Sequence, residues 1–223
     1  MLKIRSVVWT ALAVWFAASA MAGAEDRPVR VACIGDSITY SAFVGERAET
    51  AYPSQLQALL GDGFEVRNFG VSGATMLKES NLPYWGLPAF KSAQEFAPEI
   101  VTIKLGTNDS KPHWNAENYE ADYREMVDLI QALPSHPTVI LLRPVPAFTE
   151  NFGIRNTVIV GEIIPIVDRI AVDEKLRVVD AYSALLEHGD TFPDGIHPND
   201  KGCKRIAEAL APAVRAAAEA RHE

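Results

Sequence analysis

Serine, glycine and asparagine stand in this chain just beyond runs that have the character of strands, and an aspartate and a histidine share a later loop. The apolar, β-branched run Val29-Arg30-Val31-Ala32-Cys33-Ile34 stops at Gly35, and Asp36-Ser37-Ile38-Thr39 follows. Taken alone, Gly-Asp-Ser is an ordinary turn that a serine could cap. Further on, Gly70-Val71-Ser72-Gly73 follows a short strand-like run and Gly106-Thr107-Asn108-Asp109 a mostly apolar one, and Asp194 and His197 arrive together, three residues apart. That spacing lets a carboxylate fold back onto an imidazole within one turn. A serine hydroxyl is a weak nucleophile and needs a base. His197 can take its proton, and Asp194 can fix the tautomer and steady the imidazolium that forms. A tetrahedral intermediate needs donors where its oxyanion develops. The N–H groups of Ser37 and Gly73 and the side-chain amide of Asn108 would supply three. Each piece is common by chance, but the set suits acyl transfer.

These residues can meet only if the elements before them share one edge. Strand character is expected at 29–34, 65–69, 99–105, 138–142 and 177–180. Helices are expected at 53–60, over a short stretch ending at 97, at 117–132, at 157–172 and at 200–219. Pro165 should kink or split the fourth of these. Strands that alternate with helices predict a three-layer α/β fold, a five-stranded parallel sheet wrapped on both faces. The loops at the carboxyl ends of such strands converge.

The first 24 residues have a basic start, an apolar stretch over 7–18 and small residues in A-x-A spacing, the pattern of a secretory signal peptide. A retained membrane anchor is the alternative, although the stretch is short for a span. Removing 1–24 leaves 25–223 as one domain, with no linker to divide it. The expected location is secreted or periplasmic, without stable membrane insertion after cleavage. The whole chain has a net charge of −8, which becomes −10 after cleavage, 19 basic residues against 29 acidic. Such a surface does not invite nucleic acid or anionic lipid. Cys33 and Cys203 are the only cysteines. They lack zinc spacing and are expected as free thiols. Gly-Asp-Ser-Ile-Thr lacks the G-x-G-x-x-G of a nucleotide cradle.

The four blocks, in this order, resemble the SGNH (GDSL-like) hydrolase superfamily, named for its serine, glycine, asparagine and histidine. Gly35-Asp36-Ser37 corresponds to the nucleophile block and Asn68-Phe69-Gly70-Val71-Ser72-Gly73 to the second. Gly106-Thr107-Asn108-Asp109 corresponds to the third and Asp194-Gly195-Ile196-His197-Pro198 to the last. The resemblance implies a flavodoxin-like sheet and no metal or organic cofactor. It also favours Gly73 over Gly70 as the oxyanion glycine. The nearer likeness is to secreted carbohydrate O-acetylesterases, including sialate O-acetylesterase-like enzymes, through Gly-Asp-Ser-Ile-Thr, Asn-Phe-Gly-Val-Ser-Gly-Ala-Thr and Gly-Thr-Asn-Asp-Ser-Lys-Pro. The expected activity is hydrolysis of short acyl esters of carbohydrates. A lysophospholipase- or thioesterase-like hydrolase and a non-catalytic carbohydrate-binding protein are the alternatives. Trp85, Lys111, His113 and Trp114 are the expected substrate contacts, with Lys78, Asn81, Tyr84 and Asn115 nearby in sequence. Asp36 is expected to bond its own turn, and Asp109 to brace the Asn108 loop.

Overall fold

The computed structural model describes residues 27–42 and 45–221, so the expected signal peptide, 1–24, lies outside the described residues. Five strands, β1 (Val29–Gly35), β2 (Phe64–Gly70), β3 (Ile100–Lys104), β4 (Thr138–Leu142) and β5 (Arg177–Val179), pair in parallel in the order β2-β1-β3-β4-β5. This is the flavodoxin-like order, whose strand sequence reverses direction between β1 and β3. The crevice outside their carboxyl ends is where such sheets hold ligands. Ser37 follows β1 and Asn108 follows β3, one on each side of that crevice.

Alternation along the strands builds two cores. Ala32, Ile34, Val101, Ile103, Val139 and Leu141 face one layer, against α3 (Pro88–Glu95), α4 (Ala116–Gln131) and α5 (Ile164–Asp173). Val31, Cys33, Ile100, Ile140, Leu142 and Val179 face the other, against α2 (Tyr52–Leu60), α6 (Ala181–Leu186) and α7 (Asp200–Glu219). Side chains of successive strand residues point to opposite faces, so apolar runs such as Val-Ala-Cys-Ile feed both layers at once. The expected three-layer architecture is therefore the observed one.

Several elements depart from expectation. Short helices at Ser37–Tyr40, Arg47–Thr50 and Ala181–Leu186 lie where no helix is expected. The expected helix 157–172 divides earlier than its proline. A turn at Asn156–Val158 runs into a π-helical stretch, Ile159–Ile163, before α5 begins at Ile164. Pro165 has no N–H to give, and its ring displaces the carbonyl four residues back, so the wider turn absorbs the misfit upstream. Cys33 and Cys203 are buried free thiols, as expected.

Candidate active site

The nucleophile turn is short and tightly held. A single helical turn, α1 (Ser37–Tyr40), starts directly at the end of β1. Its N-cap is Asp36, whose carboxylate accepts the Ile38 N–H at 2.9 Å, so the cap is the aspartate and not the serine. The turn lies so close to the sheet that a Cβ on Gly35 would run into Thr39 and the Lys104 carbonyl. Gly35 is the residue that lets α1 sit down on the strand ends.

His197 closes the constellation. Its Nε2 lies 2.8 Å from Ser37 Oγ, and its Nδ1 lies 2.6 Å from Asp194 Oδ2. The other Asp194 oxygen accepts the N–H groups of Ile196 and His197, which fixes the carboxylate as well as the ring. Burial works to raise the Asp194 pKa. The hydrogen bonds from His197 and the two backbone N–H groups outweigh it and hold the carboxyl below its ordinary value. Ser37 and His197 are both buried beneath a small mouth, 6% and 8% exposed.

Gly73 and Asn108 face the same cavity. A pocket of about 320 Å³ is lined by Ser37, Ala42, Ser72, Gly73, Asn108, Lys111, Phe152, Ile154 and His197. Gly73 has φ +85°, a conformation glycine adopts freely. Asn108 gives one amide hydrogen to the Ala74 carbonyl at 3.1 Å, which ties the β3 loop to the β2 loop. A side-chain amide carries two hydrogens, so the second is left for the pocket. Asp109 adds two more ties across the same gap, accepting the N–H groups of Met76 and Leu77 at 3.1 and 2.8 Å. Fully buried, its carboxyl is pushed up to about 7, against the lowering effect of those two bonds.

One participant carries no sequence signal. Lys104, the last residue of β3, is fully buried, with Nζ 3.1 and 3.0 Å from the two Asp36 oxygens and 2.8 Å from Thr107 Oγ1. Burial draws the Lys104 pKa down, and the charges of Asp36 and Asp109 pull it back. The ammonium thus joins the nucleophile turn to the loop that carries Asn108. In the sequence it reads as one polar residue in a strand, with nothing to distinguish it from a solvated face.

Of the expected substrate contacts, only Lys111 lines the Ser37 pocket. Trp85 donates to the Met76 carbonyl, lies under the Lys78 ammonium and lines a separate shallow groove with Pro88 and Phe90. Trp114 donates to Glu162 and packs on Tyr119. His113 is partly buried, and that burial and the charges of Lys111 and Arg155 hold its pKa down. Tyr84 is a core residue bonded to the Phe69 carbonyl, and Asn115 caps α4. Trp85, Trp114 and Tyr84 thus bond and pack within the chain, away from the lining of the Ser37 pocket. Among the described residues, the aromatic that does reach the pocket is Phe152, in a loop where no periodicity or motif marks it.

The sequence matches the GDSL-like Lipase/Acylhydrolase family over residues 33–205. An acetylxylan esterase of Xylanibacter ruminicola is 42% identical over 211 residues, covering 86% of this chain and 44% of that protein. The chain thus spans under half the length of that relative. An arylesterase of Vibrio mimicus is 27% identical over 209 residues, covering 90% of this chain and 94% of its own length. Among solved structures, a carbohydrate acetylesterase from Sinorhizobium meliloti superposes with a TM-score of 0.67 at 21% identity, over 84% of this chain and 99% of that one, a likeness of fold. The family match takes in all four blocks and every strand end that carries them, and the chain belongs to the GDSL-like lipase/acylhydrolase family of ester hydrolases.

Proposed function

We propose that this chain is a serine esterase that removes O-acetyl groups from carbohydrates through an acyl-enzyme. The observation that carries the reading is the unbroken hydrogen-bonded line Ser37–His197–Asp194, ending at a pocket that also presents Gly73 and Asn108. His197 Nε2 takes the Ser37 proton as Oγ attacks the ester carbonyl. The oxyanion that forms is met by the N–H groups of Ser37 and Gly73 and by Asn108 Nδ2. Collapse breaks the bond to the alcohol, and His197 returns the proton to the departing oxygen. Water, deprotonated by His197, then cleaves the acetyl-serine and releases acetate.

The acetyl and carbohydrate parts rest on the pocket and on the relatives. A cavity of about 320 Å³ has room for a small acyl group, and Lys111 in its lining can meet a polar alcohol. The relative at 42% identity is an acetylxylan esterase, and one structural neighbour is a carbohydrate acetylesterase. Export from the cytoplasm follows from the leader pattern in residues 1–24. The test is a series of p-nitrophenyl esters on the purified protein, with an acetylated xylo-oligosaccharide as competitor. Acetate should turn over at least tenfold faster than octanoate, and the acetylated sugar should compete. Equal or faster turnover of octanoate would move the protein to the lysophospholipase- or thioesterase-like reading.

A further inference from the structure

Among the described residues, Phe152 is the aromatic ring in the lining of the Ser37 pocket. It is 61% exposed, an unusual setting for a phenylalanine. Its backbone is in the left-handed region, φ +61°, which non-glycine residues avoid and which large side chains tolerate only when their surroundings impose it. Gly153 follows at φ +74°, and the paired left-handed residues turn the ring out of the loop and toward the pocket.

The surroundings do impose it. On one side, Asn151 Nδ2 donates to the Asp194 carbonyl at 2.7 Å, and Thr149 Oγ1 donates to the same carbonyl at 3.2 Å. On the other, Arg155 donates through its backbone N–H to Ser110 Oγ at 3.0 Å. Its guanidinium donates to the carbonyls of Ser110 and Lys111 at 2.5 and 2.7 Å. The strap 149–155 is therefore stitched to the loop of Asp194 and His197 and to the loop that follows Asn108. Such bracing is hard to account for if the ring is only surface covering. It holds an apolar face in water at a fixed place beside the reacting groups.

That place identifies what the face meets. The Phe152 ring centroid lies 5.8 Å from that of His197, with the planes 65° apart. In the reading given above, His197 is the group that returns a proton to the departing alcohol, so the alcohol must lie next to it. A ring that flanks His197 in the same pocket flanks the alcohol half of the ester. The C–H face of a pyranose is apolar and flat enough to lie on an aromatic ring, while its hydroxyls need polar partners. Lys111, in the same lining, can donate to them. We propose that Phe152 is a platform for the sugar ring of the substrate, on the leaving-group side of Ser37. This rests on the carbohydrate esterase reading and adds the residue that selects the sugar.

The test compares wild type with Phe152→Leu, Phe152→Ala and Phe152→Trp on three esters: an acetylated methyl xyloside, methyl acetate and methyl hexanoate. Only the first has a ring in its alcohol. The ratio of kcat/KM for the acetyl xyloside to that for methyl acetate should fall about tenfold in the leucine and alanine variants, chiefly through KM, the scale of one aromatic contact together with its buried area. Tryptophan should keep or raise the ratio. Melting temperatures should not fall, since the side chain is exposed. An unchanged ratio in the leucine and alanine variants would overturn the platform. So would a gain on methyl hexanoate in the alanine variant, which would place the ring on the acyl side. If wild type itself hydrolyses methyl hexanoate but not the xyloside, the carbohydrate reading fails first and the platform fails with it.

Discussion

At the residue scale, the site separates groups that act from groups that hold them. Asn108 spends one amide hydrogen on Ala74, and in the proposed mechanism the other meets the charge that develops in the transition state. Asn108→Ala should therefore lower kcat by about 10²–10³ and leave KM nearly unchanged, as loss of a transition-state donor does. A raised KM with kcat intact in steady-state kinetics would make Asn108 a substrate contact instead. The residues proposed to act were the legible ones: Ser37, Gly73, Asn108, Asp194 and His197 sit in blocks whose types and order carry chemical meaning. The aromatics were not. Trp85 and Trp114 looked suited to stacking because they lie in loops, yet the indole N–H of each is taken up by the chain itself. Phe152 could be found only from its backbone angle and exposure, which no spacing encodes.

At the scale of elements, three strand-end loops must be held in register, and buried polar ties do it. Lys104 bonds Asp36 and Thr107, and Asp109 bonds the backbone at Met76 and Leu77. Lys104→Met leaves the Asp36 carboxylate buried without its cation. That should cost about 3–5 kcal/mol of stability, the scale measured when one partner of a buried pair is removed. Asp36→Asn with Lys104→Met removes both charges, and urea unfolding should show much of the loss restored. Additive losses would mean that the two side chains do not act as a pair. The strands themselves were legible to within a residue or two, since β1, β3 and β4 are short, mostly apolar runs and β2 and β5 are short β-branched or alternating ones, all bounded by glycine, proline or a polar loop. The π-helical stretch at Ile159–Ile163 was not, because Pro165 announces a misfit without saying on which side the chain absorbs it.

At the scale of the molecule, the buried carboxyls divide the pH axis. Asp109 is pushed up to about 7 in the fold, against an ordinary value of 3.8. Between about pH 4 and 7 the folded chain therefore keeps a proton that the unfolded chain has lost, and stability falls as pH rises through that window. Glu120 behaves oppositely. Its bond from Arg169, together with Arg124, holds it at about 2 despite partial burial, and Asp194 and Glu99 are also lowered. Their contribution is present above about pH 4.5 and is lost as pH falls toward 2. The melting temperature should thus peak between about pH 4 and 5, and Asp109→Asn should flatten the decline toward neutrality. Parallel profiles for the two proteins would assign the decline to other groups. The two-faced core was implied by strand–helix alternation and the flavodoxin-like sheet by the family resemblance, but a charge buried beneath the sheet edge becomes visible only once the chain is folded.

The central claim is that Ser37 is the nucleophile. Purified wild type and Ser37→Ala, shown by circular dichroism to be equally folded, should be incubated with a fluorophosphonate and assayed on p-nitrophenyl acetate. Wild type should gain one adduct by mass, mapped to the peptide that carries Ser37, and lose activity in step with labelling. Ser37→Ala should take no label and retain less than about one thousandth of the wild-type kcat. Full esterase activity in Ser37→Ala, or a stoichiometric adduct on another residue, would contradict the account.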